Sequence, residues 1–182
     1  MSAAAVRVHR LFFALWPDAV TRAALIRATR ALVRHCGGRP VPPRDFHLTL
    51  AFLGTVPDER FDAVRAAAAG CRLEPLTLLL DRLGYFPAPR VLWLGPSAPP
   101  VSLARFVAAL ATALAAVGQP PDPRPFHPHL TLARKVASAP AEQQPRPVEW
   151  PVTGFSLVES QTLAAGARYR VVADFPAGEG RG

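Results

Sequence analysis

Lysine and cysteine are scarce in this sequence. Lys135 is the only lysine among 21 basic residues, so nearly all of the net charge of +8 comes from arginine. Cys36 and Cys71 are isolated from each other, which excludes a disulfide framework and the closely spaced cysteine pairs of zinc and redox sites. A reducing, cytoplasmic setting is therefore expected.

Long hydrophobic runs are also lacking. The first run, residues 11–16, is short and ends at Pro17, so it does not have the form of a signal peptide. The Ala-rich stretch 101–117 is shorter than a typical membrane span and contains Arg105. We therefore expect a packed helix there and no membrane contact.

The third missing feature is a flexible linker rich in glycine and serine. Half of the 182 residues are apolar, which is enough for a compact interior. We therefore expect one bilobal folded unit over residues 1–176, a disordered tail over residues 177–182, and a monomer.

The arginine excess favours an anionic partner. A guanidinium group binds phosphate oxygens in a bidentate manner, and a positive net charge promotes association with nucleic acid. Coding bias toward Arg, Ala and Pro is the alternative explanation, so the charge alone does not identify the partner.

One five-residue sequence, HLTLA, occurs twice, at residues 47–51 and 129–133, in a chain with only five histidines. Side chains of a β-strand alternate between faces, so His47 and Thr49 share one face and the leucines take the other. Each copy then presents an imidazole and a hydroxyl roughly 7 Å apart along the strand.

Two such strands facing each other would supply two imidazoles and two hydroxyl donors to one small anionic group. A single histidine in a strand is usually structural, but a structural role gives no reason to repeat both His and Thr. Imidazole has a reference pKa near 6.5, so it serves as an acid or a base at neutral pH. The repeat therefore predicts acid and base chemistry on a phosphate.

The other histidines give one competing interpretation. His9 and His35 are expected at the surface or at a helix end. His127 shares a face with His129, and together with His47 these two residues could form a three-histidine zinc site. No carboxylate or cysteine occurs at matching spacing, and zinc would leave the repeated threonine unexplained, so we expect no metal and no other cofactor.

Local patterns predict alternating strands and helices. Asp18 is expected to cap a helix that stops at Gly37, Gly54 to close the first motif strand, and Gly70 to end the second helix. The expected strands are 6–15, 45–53, a pair formed by 76–80 and 91–94, 126–134, 152–160 and 169–175; the expected helices are 18–36, 57–69 and 101–117; the expected loops are 84–89, 119–125 and 137–151. Because a helix and a proline-rich connector precede each motif strand, the order predicts two similar α+β lobes.

Further segments extend the pattern beyond the repeat. PRDF directly precedes the first copy, and Arg134 directly follows the second. Five further segments are distributed along the chain: RLFFAL at 10–15, GYF at 84–86, VLWLG at 91–95, LVES at 157–160 and GARY at 166–169. With these segments the chain resembles the 2H phosphoesterase superfamily, and within it the RNA 2′,3′-cyclic phosphodiesterases, also called 2′-5′ RNA ligases.

The resemblance implies an α+β fold in which two similar lobes of antiparallel β-sheet, with outer helices, surround a central basic cleft. It also implies metal-independent hydrolysis of a terminal 2′,3′-cyclic phosphate on RNA to a 2′-phosphate, with ligation through a 2′-5′ bond as a reverse activity. The implied partners are RNA ends or nucleotides that carry such a phosphate.

The resemblance also implies roles for individual residues. His47 would donate a proton and His129 would accept one. The phosphate ligands would be Thr49, Thr131 and Arg134. Phe46 and Phe126 lie just before the motif histidines and could stack on a base, although core packing is the competing role.

Two alternatives keep the same site. The substrate could be a small nucleotide with a cyclic phosphate, or the protein could be a non-catalytic module that binds RNA or nucleotides. Both histidines and both threonines are intact, which argues against a decayed site.

Overall fold

The computed structural model describes residues 7–138, 145–163 and 166–178. Within these ranges it has three α-helices, ten β-strands and a 3-10 turn, Pro43–Asp45. The helices are α1 (Ala19–His35), α2 (Asp58–Ala69) and α3 (Val101–Ala116). The strands are β1 (Val8–Leu15), β2 (Arg39–Pro40), β3 (Leu48–Pro57), β4 (Leu76–Leu80), β5 (Arg82–Phe86), β6 (Val91–Gly95), β7 (Leu130–Arg134), β8 (Val148–Val152), β9 (Gly154–Leu163) and β10 (Gly166–Pro176).

Most strands belong to one large antiparallel sheet in the order β10-β9-β1-β3-β7-β6-β5, with the short β2 paired to β7. A second sheet consists of β4 and β8. The large sheet has two halves, β10-β9-β1-β3 and β7-β6-β5, and the motif strands β3 and β7 are the inner strands that join them at the single pair Leu48 and Leu130. The fold is therefore α+β with two antiparallel halves, as the sequence predicted.

Local signals account for the helix ends. The Asp18 carboxylate accepts a hydrogen bond from the backbone N–H of Thr21 at 2.7 Å, which caps α1. Gly37 has a φ of +62°, a conformation that favours glycine, and it lies just past the end of α1. The Gly70 N–H bonds back to the Ala66 carbonyl at the end of α2. These predicted helix boundaries are confirmed.

The main core lies between the large sheet and the helices. On β1, Leu11, Phe13 and Leu15 are fully buried in this core, whereas Phe12 and Ala14 belong to a separate small cluster on the opposite face. Helix α3 packs its apolar side into the main core through Leu103, Phe106, Val107, Leu110 and Leu114. Among the described residues, no helix combines the length and the apolar character needed to cross a bilayer.

Several predicted elements are wrong. Strand β4 pairs with β8, not with residues 91–94, and β8 occupies part of the predicted loop 137–151. Residues 84–86, predicted to be part of the loop 84–89, belong to β5, and the turn itself lies at 87–90. Gly54 does not end its strand; with a φ of +68° it lies inside β3. Cross-strand partners decided these cases, and they are distant in sequence.

The predicted tail begins too early. The backbone N–H of Ala177 donates to the Thr153 carbonyl at 2.8 Å, and that of Gly178 donates to the Leu73 carbonyl at 3.0 Å. These two residues are therefore held by the fold, and residues 179–182 lie outside the described ranges.

Candidate active site

The two motif histidines lie just before their strands begin and are held in the same way. The Nδ1–H of His47 donates to the Asp45 carbonyl at 2.7 Å, and the Nδ1–H of His129 donates to the His127 carbonyl at 2.7 Å. A carbonyl only accepts hydrogen bonds, so Nδ1 carries the hydrogen in both rings. The Nε2 atom of each neutral ring is therefore left to accept a proton.

The pairing of β3 with β7 brings the two motifs together. Leu48 and Leu130 are directly opposite each other and fully buried in the main core. The alternating residues on either side therefore lie on the other face of the sheet. The antiparallel register places Thr49 beside His129 and Thr131 beside His47. We call the face that carries these four residues the histidine face.

A bulge in each motif strand changes the alternation after the threonine. The register of β1 with β3 shifts between Phe13 and Ala14, and that of β6 with β7 shifts between Leu92 and Trp93. As a result, two consecutive residues of each motif are buried in the main core: Leu50 and Ala51, then Leu132 and Ala133. The next residue of each strand, Phe52 or Arg134, returns to the histidine face.

Aromatic rings surround His47. The Trp16 indole stacks on the imidazole with 5.1 Å between ring centroids and 9° between planes, and the rings of Phe12 and Tyr169 each lie 5.1 Å away. This burial lowers the pKa of His47 to about 4, although its hydrogen bond to the Asp45 carbonyl acts in the opposite direction. The positive charge of Arg134, and that of His129 when its ring is protonated, lower the pKa of His47 further.

His129 is less enclosed. Phe86 meets its ring edge-on at 5.1 Å, and Trp93 lies at 6.3 Å. Burial is again the main cause that lowers the pKa of His129, followed by the nearby charges of His127 and Arg134. Both imidazoles are therefore mainly neutral at pH 7 in the ligand-free protein.

The indole of Trp93 packs on the sheet beside His129. It is 4% exposed and opposite Gly84 on β5 and Thr131 on β7. A Cβ atom at Gly84 would collide with the six-membered ring of the indole. The glycine therefore allows the indole to lie flat on the sheet and support the second histidine.

Arg134 is the cation shared by the two motifs. It is exposed at the end of β7, and its charge acts on both His47 and His129. The next two residues fix the strand end: Lys135 has a φ of +56°, and Val136 exchanges backbone and side-chain hydrogen bonds with Arg90. A positive group is thus held beside two imidazoles, an arrangement that suits a phosphate.

Two predicted stacking residues do not lie at the site. Phe46 is 3% exposed and belongs to the main core, so its predicted role in base stacking is wrong. Phe126 is half-buried and packs against the same core. Each phenylalanine precedes its histidine at a position where the backbone approaches the core, and packing determines its orientation.

The zinc interpretation gains no support. Over residues 7–138, 145–163 and 166–178, no group of three or more His, Cys, Asp or Glu side chains is placed to hold a metal ion. His127 is exposed, with its ring centroid 6.0 Å from that of His129.

The aromatic residues around His47 were not predicted from the sequence. A signal was nevertheless present, because residues 11–16 are apolar at every position, a pattern typical of a strand covered on both faces. Tyr169 comes from β10, two strands away from β1, and no local pattern connects it with His47.

In this protein, two strands that each carry the His and Thr motif meet in one sheet and present their motif side chains on the same face. This arrangement defines the fold as that of a 2H phosphoesterase. A family model described as the 2′-5′ RNA ligase superfamily matches residues 16–163. The chain belongs to this superfamily.

Individual relatives agree with that membership. The RNA 2′,3′-cyclic phosphodiesterase of Thermus thermophilus is 40% identical over 181 residues, covering 91% of this chain and 89% of that protein. The Escherichia coli protein of the same name is 38% identical over 163 residues, covering 88% and 92%. The crystal structure of E. coli LigT complexed with 3′-AMP superimposes with a TM-score of 0.86 at 34% identity, covering 94% of this chain and 99% of that one.

Proposed function

We propose that this protein is an RNA 2′,3′-cyclic phosphodiesterase that leaves a terminal 2′-phosphate through two-histidine acid and base catalysis. The main support is the pair of imidazoles on one face of the sheet, each held through Nδ1 by a backbone carbonyl. Relatives with this name match nearly the whole chain.

The proposed reaction uses one histidine on each side of the phosphorus. His129 Nε2 takes a proton from water, and the water oxygen bonds to phosphorus. The bond from phosphorus to the 3′ oxygen breaks, and His47 Nε2 gives its proton to that oxygen. The products are a 2′-phosphate and a 3′-hydroxyl, and each proton transfer typically contributes about 10²- to 10⁴-fold to the rate.

The phosphate itself must raise the pKa of His47. In the ligand-free protein, burial keeps this ring neutral at pH 7, whereas an acid has to carry a proton. A bound anion favours the charged form of a neighbouring imidazole, so substrate binding would supply the proton at the required place. The hydroxyls of Thr49 and Thr131 and the guanidinium of Arg134 would hold the non-bridging oxygens as charge develops.

The same groups could run the reaction in reverse and join RNA ends through a 2′-5′ bond. A second candidate substrate is a small nucleotide with a cyclic phosphate, which is favoured by the nucleotide complex of E. coli LigT. We also propose that the protein acts as a monomer, in the cytoplasm and without a metal.

The test is to incubate the protein with an RNA that ends in a 2′,3′-cyclic phosphate, in the presence of a chelator. The expected product is a terminal 2′-phosphate. A 3′-phosphate, or activity that disappears with the chelator, would contradict the mechanism. Binding without turnover would support the non-catalytic module instead.

A further inference from the structure

His127 is an exposed imidazole without an assigned role. Its backbone carbonyl holds His129, but its ring has no hydrogen-bond partner among the described residues. The ring of His127 packs against the rings of Trp93 and Phe86, at centroid distances of 4.7 and 5.4 Å, and is nearly perpendicular to both. It is therefore oriented by packing, while its nitrogen atoms remain available to a ligand.

The corresponding residue of the first half has the opposite character. Asp45 holds His47 through its carbonyl, as His127 holds His129, but Asp45 carries a carboxylate where His127 carries an imidazole. A carboxylate repels phosphate, and an imidazole N–H donates to it. A strand of RNA that leaves the site is thus favoured on the side of His127.

We propose that His127 binds the phosphodiester that joins the last two nucleotides of the RNA, and so favours an RNA strand over a mononucleotide. The inference rests on the proposed function. The 6.0 Å between the ring centroids of His127 and His129 is comparable to one nucleotide step along a strand. Arg134 and His127 both lie close enough to His129 to act on its ring, and a guanidinium and an imidazole N–H can each donate a hydrogen bond to a phosphate.

The experiment varies the protein and the linkage together. The substrates are a mononucleotide 2′,3′-cyclic phosphate and a dinucleotide with the same end, whose internal linkage is either a phosphodiester or an uncharged methylphosphonate. A 2′-O-methyl group on the first ribose prevents self-cleavage. The variants are His127→Phe, which keeps the aromatic packing without a donor, and His127→Gln, which restores a donor. His35→Phe, at an exposed imidazole near the end of α1, is the matched control.

In the wild-type protein, the uncharged linkage is expected to lower kcat/KM about tenfold, the usual effect of one hydrogen bond to a charged group. His127→Phe should lose about tenfold more on the charged dinucleotide than on the mononucleotide, and almost no further loss should appear with the uncharged linkage. His127→Gln should recover part of the loss, and His35→Phe should match the wild type.

An equal loss on all three substrates would overturn the inference, because His127 would then act only by supporting His129. So would a linkage effect that is the same in wild type and His127→Phe. A wild-type protein that turns over none of the substrates would refute the proposed function itself, and the mononucleotide reaction makes the two failures distinguishable.

Discussion

The two halves of the sheet hold the same motif in different surroundings. Both histidines bond through Nδ1 to the carbonyl two residues before them, and both strands carry a bulge after the threonine. His47, however, is enclosed by three aromatic rings, whereas His129 has only Phe86 and Trp93 beside it and lies next to the exposed ring of His127. The repeated residues therefore set the geometry, and the side chains that surround them set the proton affinity.

The largest expected effect comes from removing either histidine. His47→Ala or His129→Ala should each lower kcat by about 10²- to 10⁴-fold, because each half supplies one proton transfer. Circular dichroism should show an intact fold, since both rings lie outside the main core. Near-normal turnover in either variant would mean that the halves are not partners in one reaction. His35→Ala is the matched control.

The next prediction compares substitutions at the two residues that follow the bulges, Phe52 in the first half and Arg134 in the second. Arg134→Ala should lower kcat by about 10²-fold, because one preorganised donor to the developing charge is worth roughly 3 kcal/mol. Arg134→Lys should recover part of this, since lysine keeps the charge without the guanidinium geometry. Phe52→Ala changes the equivalent position of the first half and should lower kcat much less. Equal losses of kcat at the two positions would contradict the proposal that Arg134 binds the phosphate and Phe52 does not.

A smaller effect should appear in the titration of His47. Burial lowers its pKa to about 4, so Trp16→Ala, which admits water to the ring, should raise that pKa towards 6.5. Proton NMR of the imidazole during a pH titration measures the change. The pKa of His129 should change much less, because in the described part of the chain Trp16 stacks on the ring of His47, whereas the aromatic neighbours of His129 are Phe86 and Trp93. If His47 titrates as before, aromatic burial is not the cause of its low pKa.

The smallest effect concerns stability, at a site away from both motifs. His9 contacts Asp58 through Nε2 and Glu159 through Nδ1, each at 2.7 Å, and Arg170 also bonds to Glu159. The hydrogen bonds to Asp58 and then to Glu159 raise the pKa of His9. Its contribution to stability is therefore full below pH 6.5 and is lost as the pH rises through the higher folded-state pKa.

His9→Phe tests this separation between stability and activity. The variant should lower Tm slightly at pH 6 and should remove the part of the pH dependence of Tm that lies above 6.5. The ring contact with Phe61 is retained by phenylalanine. Turnover should be unchanged, and a large loss of turnover would show that the network reaches the active site.

Local sequence signals predicted the helices and both motif strands. Asp18, Gly37 and Gly70 act through bonds to residues nearby in the chain, so their effects can be predicted without knowing the fold. The pairing of β4 with β8 and the existence of β5 depend on partners far along the chain, and no local pattern specifies them.

The site was predictable to a similar degree. The repeat identified both histidines and both threonines, because alternation places them on one face. Alternation alone would have put Arg134 on the face of the leucines, and the bulge in β7 is what brings it to the histidine face. Only the resemblance to the 2H phosphoesterases implied a role for Arg134 in binding phosphate. The aromatic rings from β1 and β10 could be placed around His47 only once the sheet order was known.

Both halves of the sheet are expected to act on a single phosphate. The most direct test is an NMR titration of the two imidazoles with adenosine 2′-monophosphate, an analogue of the expected product. One bound equivalent should raise the pKa of His47 and of His129 together, because an anion between them favours both charged forms. A response from only one ring, or a second equivalent needed to move the other, would contradict the account.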